Sequence, residues 1–331
     1  MRKWITIFGG LLALQLVLAV ALHRAGEDFD TFEPTQRLLA FEQESVDGLR
    51  IEDAQNQVLL ARRDAEWILP ESSDFPADGK AVQRLLDKLT DLKKGWPVAT
   101  STGAAERFKV APEAFERKLT LLRGEETVAT FYLGLSPGFR KVHARPEGDD
   151  AVYAVEFNTW EMNAGVDDWS DKDLLKIPQD EIERIEMTDI TLKREGEKMQ
   201  LTGLAENEMP REEAVRALVS GLADLRVQSM LGTEDAPEYG LNEPSLEIRL
   251  VKEGGDTLTY RFAQPKDASH YVLKRSDLDY YLKVAEFTVT PLKDTGREKL
   301  VKVQTVRQPE DVPDGQPLAD MGDATAVEHS E

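Results

Sequence analysis

Cysteine is absent from all 331 residues, which excludes disulfides, thiolate metal sites, thiol nucleophiles and a lipid-modified N-terminal cysteine. The absence does not separate a reducing from an oxidising compartment. Histidine is scarce, with only His23, His143, His270 and His329. No HExxH, GxSxG, P-loop or GxGxxG occurs, so a serine hydrolase has no signature here. Positive charge is also short. Against 41 Lys and Arg stand 62 Asp and Glu, a formal charge of -21, and a surface so acidic repels phosphate backbones and anionic headgroups at long range. The expectation is no nucleic-acid partner.

What is present begins with "MRKWITIFGGLLALQLVLAVALHRAG". From Trp4 to Leu22 no residue is charged, and Thr6 and Gln15 are the only clearly polar side chains, which approaches the ~20 residues that cross a hydrocarbon core as helix. Arg2 and Lys3 before it place the N-terminus in the cytoplasm and the body beyond the membrane. The expected anchor is residues 1–23, contacting the inner membrane through 4–22, with a periplasmic body. Ala19-Val20-Ala21 also fits a signal-peptidase site, so a cleaved leader stays open.

Residues 24–45 read as a polar connector with an apolar patch at Leu38, Leu39 and Phe41. Beyond it the chain writes one sentence twice: "AVQRLLDKLTDLK" at 81–93 and "AVRALVSGLADLR" at 214–226. Val82, Leu85, Leu86 and Leu89 fall at i, i+3, i+4, i+7, as do Val215, Leu218, Val219 and Leu222, and each set predicts a helix with one buried stripe. Strand-like runs flank both: "VDGLRIED", "QVLLARRD" and "WILP" before the first, "RKLTLLR", "TVATFYLG", "RKVHARP" and "AVYAVEF" after it. The second half repeats that order through "SLEIRLV", "LTYRFAQ", "SHYVLKR" and "YYLKVAEF". The predicted fold class is α+β: an N-terminal transmembrane helix, then two tandem repeats at 46–177 and 178–303, each an antiparallel sheet covered by one long helix. The tail, 304–331, has one Arg against seven acids and three Pro, and its low apolar content predicts disorder.

Candidate chemistry is thin. His143 and His270 sit on predicted strands at similar places in the two halves, where a half-exposed surface role is expected. The acids of "DDWSDKD" (Asp167, Asp168, Asp171 and Asp173) could offer oxygens to Ca²⁺, but an EF-type loop needs Gly at its sixth position and Glu at its twelfth. Counted from Asp168 those positions hold Asp173 and Gln179, and a solvated linker is expected instead. Trp67, Trp96, Trp160 and Trp169 could line a sugar-binding face, although Trp67 and Trp160 are expected to pack under their sheets. No catalytic, metal-binding or cofactor-binding residue is assigned, and no cofactor is expected.

The order of elements, the Trp-Ile-Leu-Pro strand, the Pro-Ala-Asp helix start, the Trp-Ser-Asp-Lys exit and "EYGLNEPSLEIRL" at 238–250 together resemble the domain of unknown function 4340 family of bacterial envelope proteins. "RFKVAPEAFERKLTLL" at 107–122 looks like a degenerate counterpart of the Tyr239–Pro244 stretch. The resemblance spans about 46–303. It implies neighbourhood to ABC-type transport components of the gliding-motility kind, and no catalytic residue. The expected function is a membrane-anchored, extracytoplasmic, non-enzymatic scaffold bound to an ABC transporter permease or auxiliary subunit. The alternative is an envelope glycan-binding protein or hydrolase with a cleft between the repeats.

Overall fold

In the computed structural model, which describes Gln15 and residues 36–304 other than 102 and 139, the alternating runs form two antiparallel sheets. The first contains β1 (Gly48–Glu52), β2 (Gln57–Arg63), β3 (Glu66–Leu69), β4 (Phe75–Pro76) and β5 (Pro97–Ala99). After a separate hairpin of β6 (Val110–Ala111) and β7 (Ala114–Phe115), it continues with β8 (Arg117–Arg123), β9 (Glu126–Leu133), β10 (Lys141–Pro146) and β11 (Val152–Glu156). Its spatial order is β4-β3-β2-β1-β8-β9-β10-β11-β5. The second sheet takes β12 (Ile182–Glu186), β13 (Thr191–Glu195) and β14 (Lys198–Leu201), then β16 (Ser229–Gly232), β17 (Leu246–Lys252), β18 (Thr257–Ala263), β19 (His270–Arg275) and β20 (Tyr281–Ala285). Its order is β14-β13-β12-β17-β18-β19-β20-β16. Apart from the β6–β7 hairpin, in whose place the second unit has the turn Pro237–Tyr239, the connections follow one another alike in both, with a difference at the edge. β4 joins the first sheet beyond β3, whereas β15 (Glu208–Pro210) pairs with β21 (Val301–Val303) and leaves β14 as the last strand.

Turn chemistry sets these registers. Asp64 and Ala65, both at positive φ (51° and 72°), form the two-residue loop that closes β2 on β3 with Arg63 opposite Glu66, as a twist-matched hairpin requires. Gly196 (φ 63°) opens the corresponding two-residue loop, closing Glu195 on Lys198.

A helix packs against one end of each sheet. The helix Gly79–Asp91 starts where Asp78 accepts a hydrogen bond from the Ala81 amide at 2.9 Å, a cap that satisfies one orphan donor, and it buries Val82, Leu85, Leu86 and Leu89. The helix Glu212–Ala223 lacks a side-chain cap, has Glu212 and Glu213 in its first turn, and buries Val215, Leu218, Val219 and Leu222. Acidic side chains there favour the helix N-terminus electrostatically.

The expected fold class needs correction. Among the described residues no helix is long and apolar enough to cross a membrane, and the predicted anchor at 1–23 falls outside them save Gln15. Nor does one long helix cover each sheet: the two stripe helices have 13 and 12 residues, about three turns each. The second sheet is also covered by the helices Glu286–Lys293 and Arg297–Leu300, which pack against 212–223. The physical reason is size. A three-turn helix spans only ~18–20 Å, while eight or nine strands at ~4.8 Å extend much further, so loops and short helices must close the rest. The predicted tail beyond Gln304 lies outside the described residues.

Residues 169–177 stitch the two sheets together. On one side the Asp78 amide donates to Trp169 O at 2.7 Å and the Asp171 amide to Pro76 O at 2.8 Å. On the other, the Val227 amide donates to Lys172 O at 3.0 Å and the Ile177 amide to Ala223 O at 3.0 Å. Arg275, itself held by Asp277 at 2.6 Å, donates to Leu175 O at 3.3 Å. Across the same seam the Tyr280 hydroxyl donates to Asp74 O at 3.2 Å and its ring meets Phe75 edge-on, 4.9 Å between centroids. Most of the buried apolar residues of the two sheets thereby form one continuous cluster that crosses the seam.

Leu86→Ala is expected to cost ~2–5 kcal/mol, the penalty for emptying a core leucine, with Val219→Ala acting in the same direction; urea unfolding measures both. A loss below about 0.5 kcal/mol, typical of surface positions, would place the stripe on the wrong face.

The seam generates a pH prediction. Burial, reinforced by the charges of Asp173 and Asp78, pushes the Asp171 carboxyl above its ordinary 3.8, against the opposing hydrogen bond from the Asp173 amide. The folded chain therefore holds this proton more tightly than the unfolded chain, and stability is lost as pH rises from about 3.8 through the raised value. Asp171→Asn, whose amide oxygen can keep the bond from Asp173 N, should raise the urea midpoint at pH 7, the gain shrinking as pH falls below that window. A gain that stays constant with pH would contradict this account.

Candidate functional site

The residues singled out in the sequence do not converge. His143 is buried, its Nδ1 2.6 Å from Leu135 O and its ring 4.2 Å from that of Phe108. It belongs to the far side of the first sheet, where Tyr132, Val110 and Val152 form a small second core. The half-exposed role expected for it is thus corrected. His270 is partly buried, and desolvation followed by the Lys283 charge lowers its pKa. The two do not match in register: with Val155 and Val284 as equivalents, Val142 faces Val155 and Tyr271 faces Val284, so His270 corresponds to Lys141, two residues from the place of His143.

The acidic run is a seam, not a free linker. Burial favours the neutral form of Asp173, but Lys176 at 3.1 Å and Arg226 at 3.0 Å outweigh it and hold the carboxyl below its usual range. Lys172 lies 3.8 Å from Asp167. Among the described residues no group of three or more His, Asp or Glu is placed to hold a metal ion.

Of the tryptophans, Trp67 and Trp169 are buried, Trp169 donating to Asn163 O at 2.7 Å. Trp160, expected beneath its sheet, is 69% exposed. It lies on the 3-10 turn Thr159–Met162, whose inward side chain is Met162. With Arg84 and Asp168 it borders a cavity of about 440 Å³.

A larger cavity, about 810 Å³, lies elsewhere, between the 212–223 helix and the edge strand β14. Met199, Val215, Val219 and Pro210 supply its apolar surface. Its charged side chains balance: Arg194, Lys198 and Arg216 against Asp180, Glu197 and Glu212, three of each sign in a chain of formal charge -21. Arg194 is fixed by donating to Ile182 O at 2.7 Å and to Gln179 O.

At the equivalent place in the first sheet two positions differ. Trp67 opposes Arg62 as Met199 opposes Arg194. The Trp67 ring fills the angle between β3 and the helix start: its Cδ1 lies 3.6 Å from where a Cβ on Gly79 would sit, and the Arg62 guanidinium is 5.9 Å from its centroid. The second position is Ala77, whose amide donates to Trp67 O at 2.9 Å. The Asp78 amide bonds Trp169 O as the Arg211 amide bonds Leu300 O, both at 2.7 Å, which aligns Ala77 with Pro210. Proline has no N–H to give. With Met199 in the place of Trp67 and Pro210 in the place of Ala77, the second edge has neither the indole nor the amide donor of the first. Both differences are visible once the halves are aligned, but neither residue type signals chemistry alone.

The sequence matches the family described as "Domain of unknown function (DUF4340)" over residues 67–244. That span includes both helices, the seam and the cavity. No curated protein and no solved structure matches the chain.

Proposed function

The chain belongs to the DUF4340 family, and from that premise we propose that it is a non-enzymatic binding component of the bacterial envelope, held at the inner membrane with its folded body outside the cytoplasm and attached to a protein of an ABC-type transport system. The observation that carries the reading is the 810 Å³ groove beside an edge strand, apolar at its base and balanced in charge at its rim, a surface suited to holding another chain. The uncharged segment 4–22 behind Arg2 and Lys3 supports export, and the family resemblance supports the transport partner. The common strand order of the two sheets supports reading them as a tandem duplication of one module, of which the second copy has given up a strand contact to gain the groove.

Extraction of bacterial membranes in mild detergent, followed by affinity purification of this chain, tests the proposal. Recovery of a permease and its ATPase, with the body cleavable by protease added from the periplasmic side, is the expected result. Recovery of the chain alone with bound saccharide would overturn it in favour of a glycan-binding protein, for which exposed Trp160 beside Arg84 and Asp168 is the surface to examine.

A further inference from the structure

We infer that the edge of β14 accepts one extended, uncharged peptide segment of a partner protein, which adds to the second sheet as a further strand and lays a large apolar side chain, an aromatic ring by size, over Met199. The inference rests on the proposed binding role and names the chemistry through which it operates.

Hairpin register gives the backbone half of the argument. In a two-residue hairpin the closing pair exchanges hydrogen bonds and the next pair does not. Glu195 and Lys198 are the closing pair, so Met199, opposite Arg194, turns its N–H and C=O away from β13. Leu201, opposite Leu192, does the same by the alternation. These groups point to the side on which, among the described residues, β14 has no neighbouring strand. The first sheet shows what such an edge takes: the outward C=O of Trp67, in the place of Met199, receives the Ala77 amide as β4 adds to β3. The corresponding segment of the second half cannot do this. Pro210 lacks the donor, and its strand is committed to β21 through Glu208 opposite Val303, Met209 opposite Lys302 and Pro210 opposite Val301. An edge left without a strand is a template for another chain, and strand addition is a general mode of peptide capture.

The side-chain half concerns size and charge. Where the first unit fills the angle between edge strand and helix with its own indole, the second offers the thinner, flexible Met199 above Val215 and Val219, and methionine adapts well to aromatic surfaces. The space left is that of a ring supplied from outside. Three cations against three anions at the rim make this region locally neutral on an acidic protein, so it favours an uncharged segment over the basic one that the remaining surface would attract.

The test titrates the full chain with the acetylated, amidated peptide STVWVTS, following the Met199 ε-methyl by carbon-13 NMR and the amides of Met199 and Leu201 by hydrogen exchange. The expected result is a shift of that methyl and exchange at both amides slowed at least about tenfold, with STVAVTS binding at least about tenfold more weakly as for loss of an anchor residue. The same peptide N-methylated at its tryptophan and at both threonines, which keeps every side chain but blocks the backbone groups that would face β14, should fail to slow exchange. Met199→Trp, filling the groove as Trp67 does, should abolish binding; if that variant loses its fold by circular dichroism, the peptide series on the unaltered chain decides alone. Equal binding of the Trp and Ala peptides, or no methyl shift, overturns the inference. So does protection of both amides before peptide is added, which would mean that the edge is occupied by another part of this chain or, if protection depends on concentration, by a second copy. A chain that takes the peptide yet co-purifies with no transporter loses the proposed function and keeps the groove; the converse result loses only this inference.

Discussion

Nine residues, 169–177, carry hydrogen bonds to both halves of the molecule, and the rest of the arrangement depends on them. Their N-terminal end closes the first unit by bonding 76–78, and their C-terminal end opens the second by bonding 223 and 227. At the start of the first unit a separate segment does the second job: the Leu38 amide donates to Leu92 O at 2.7 Å and the Lys94 amide to Gln36 O at 2.8 Å. At the end of the second unit, 300–304 does the first job, with Arg211 N bonded to Leu300 O and Gln304 N to Asn207 O. One segment in the middle thus performs what two separate segments perform at the ends. Buried Leu175 and Ile177 make the same segment part of the joint core, so the two sheets are linked by packing as well as by backbone.

Against this common frame, the two halves differ where their edges are finished. The first uses a tryptophan and an amide donor to add β4 and fill its corner; the second has methionine and proline at the same positions, and its would-be edge strand goes to β21 instead. Neither difference touches the buried helix stripe, so the two edges are finished differently on similarly packed helices. Stability resides in the stripes and the seam, and the binding capacity proposed here resides in the corner that they leave alone.

Much of this was legible in the chain itself. The spacing of Val82, Leu85, Leu86 and Leu89, and of Val215, Leu218, Val219 and Leu222, identifies the buried faces because helical periodicity is a local property. Strand runs between turn residues are local too. What sequence reasoning missed is non-local. Trp160 resembles a core residue by type, yet Met162 takes the interior position of its turn. The acids around Asp171 resemble a solvated linker by charge, yet Trp169 and Ser170 within the run are buried. The groove was hidden for a different reason: it arises from what Met199 and Pro210 do not supply, and such a deficit shows only against the other half.

The edge of β14, which has no neighbouring strand among the described residues, also bears on how copies of the protein meet. A bare strand edge invites pairing between identical copies, and natural sheets blunt that tendency with charge or coverage. Here the rim of the groove is balanced, so the restraint must come from the whole surface. Two molecules of formal charge -21 repel before their edges can meet, over the ~8–10 Å reach of electrostatics at ordinary salt. The excess of acid therefore acts between copies as colloidal protection for the edge that the proposed strand addition would use.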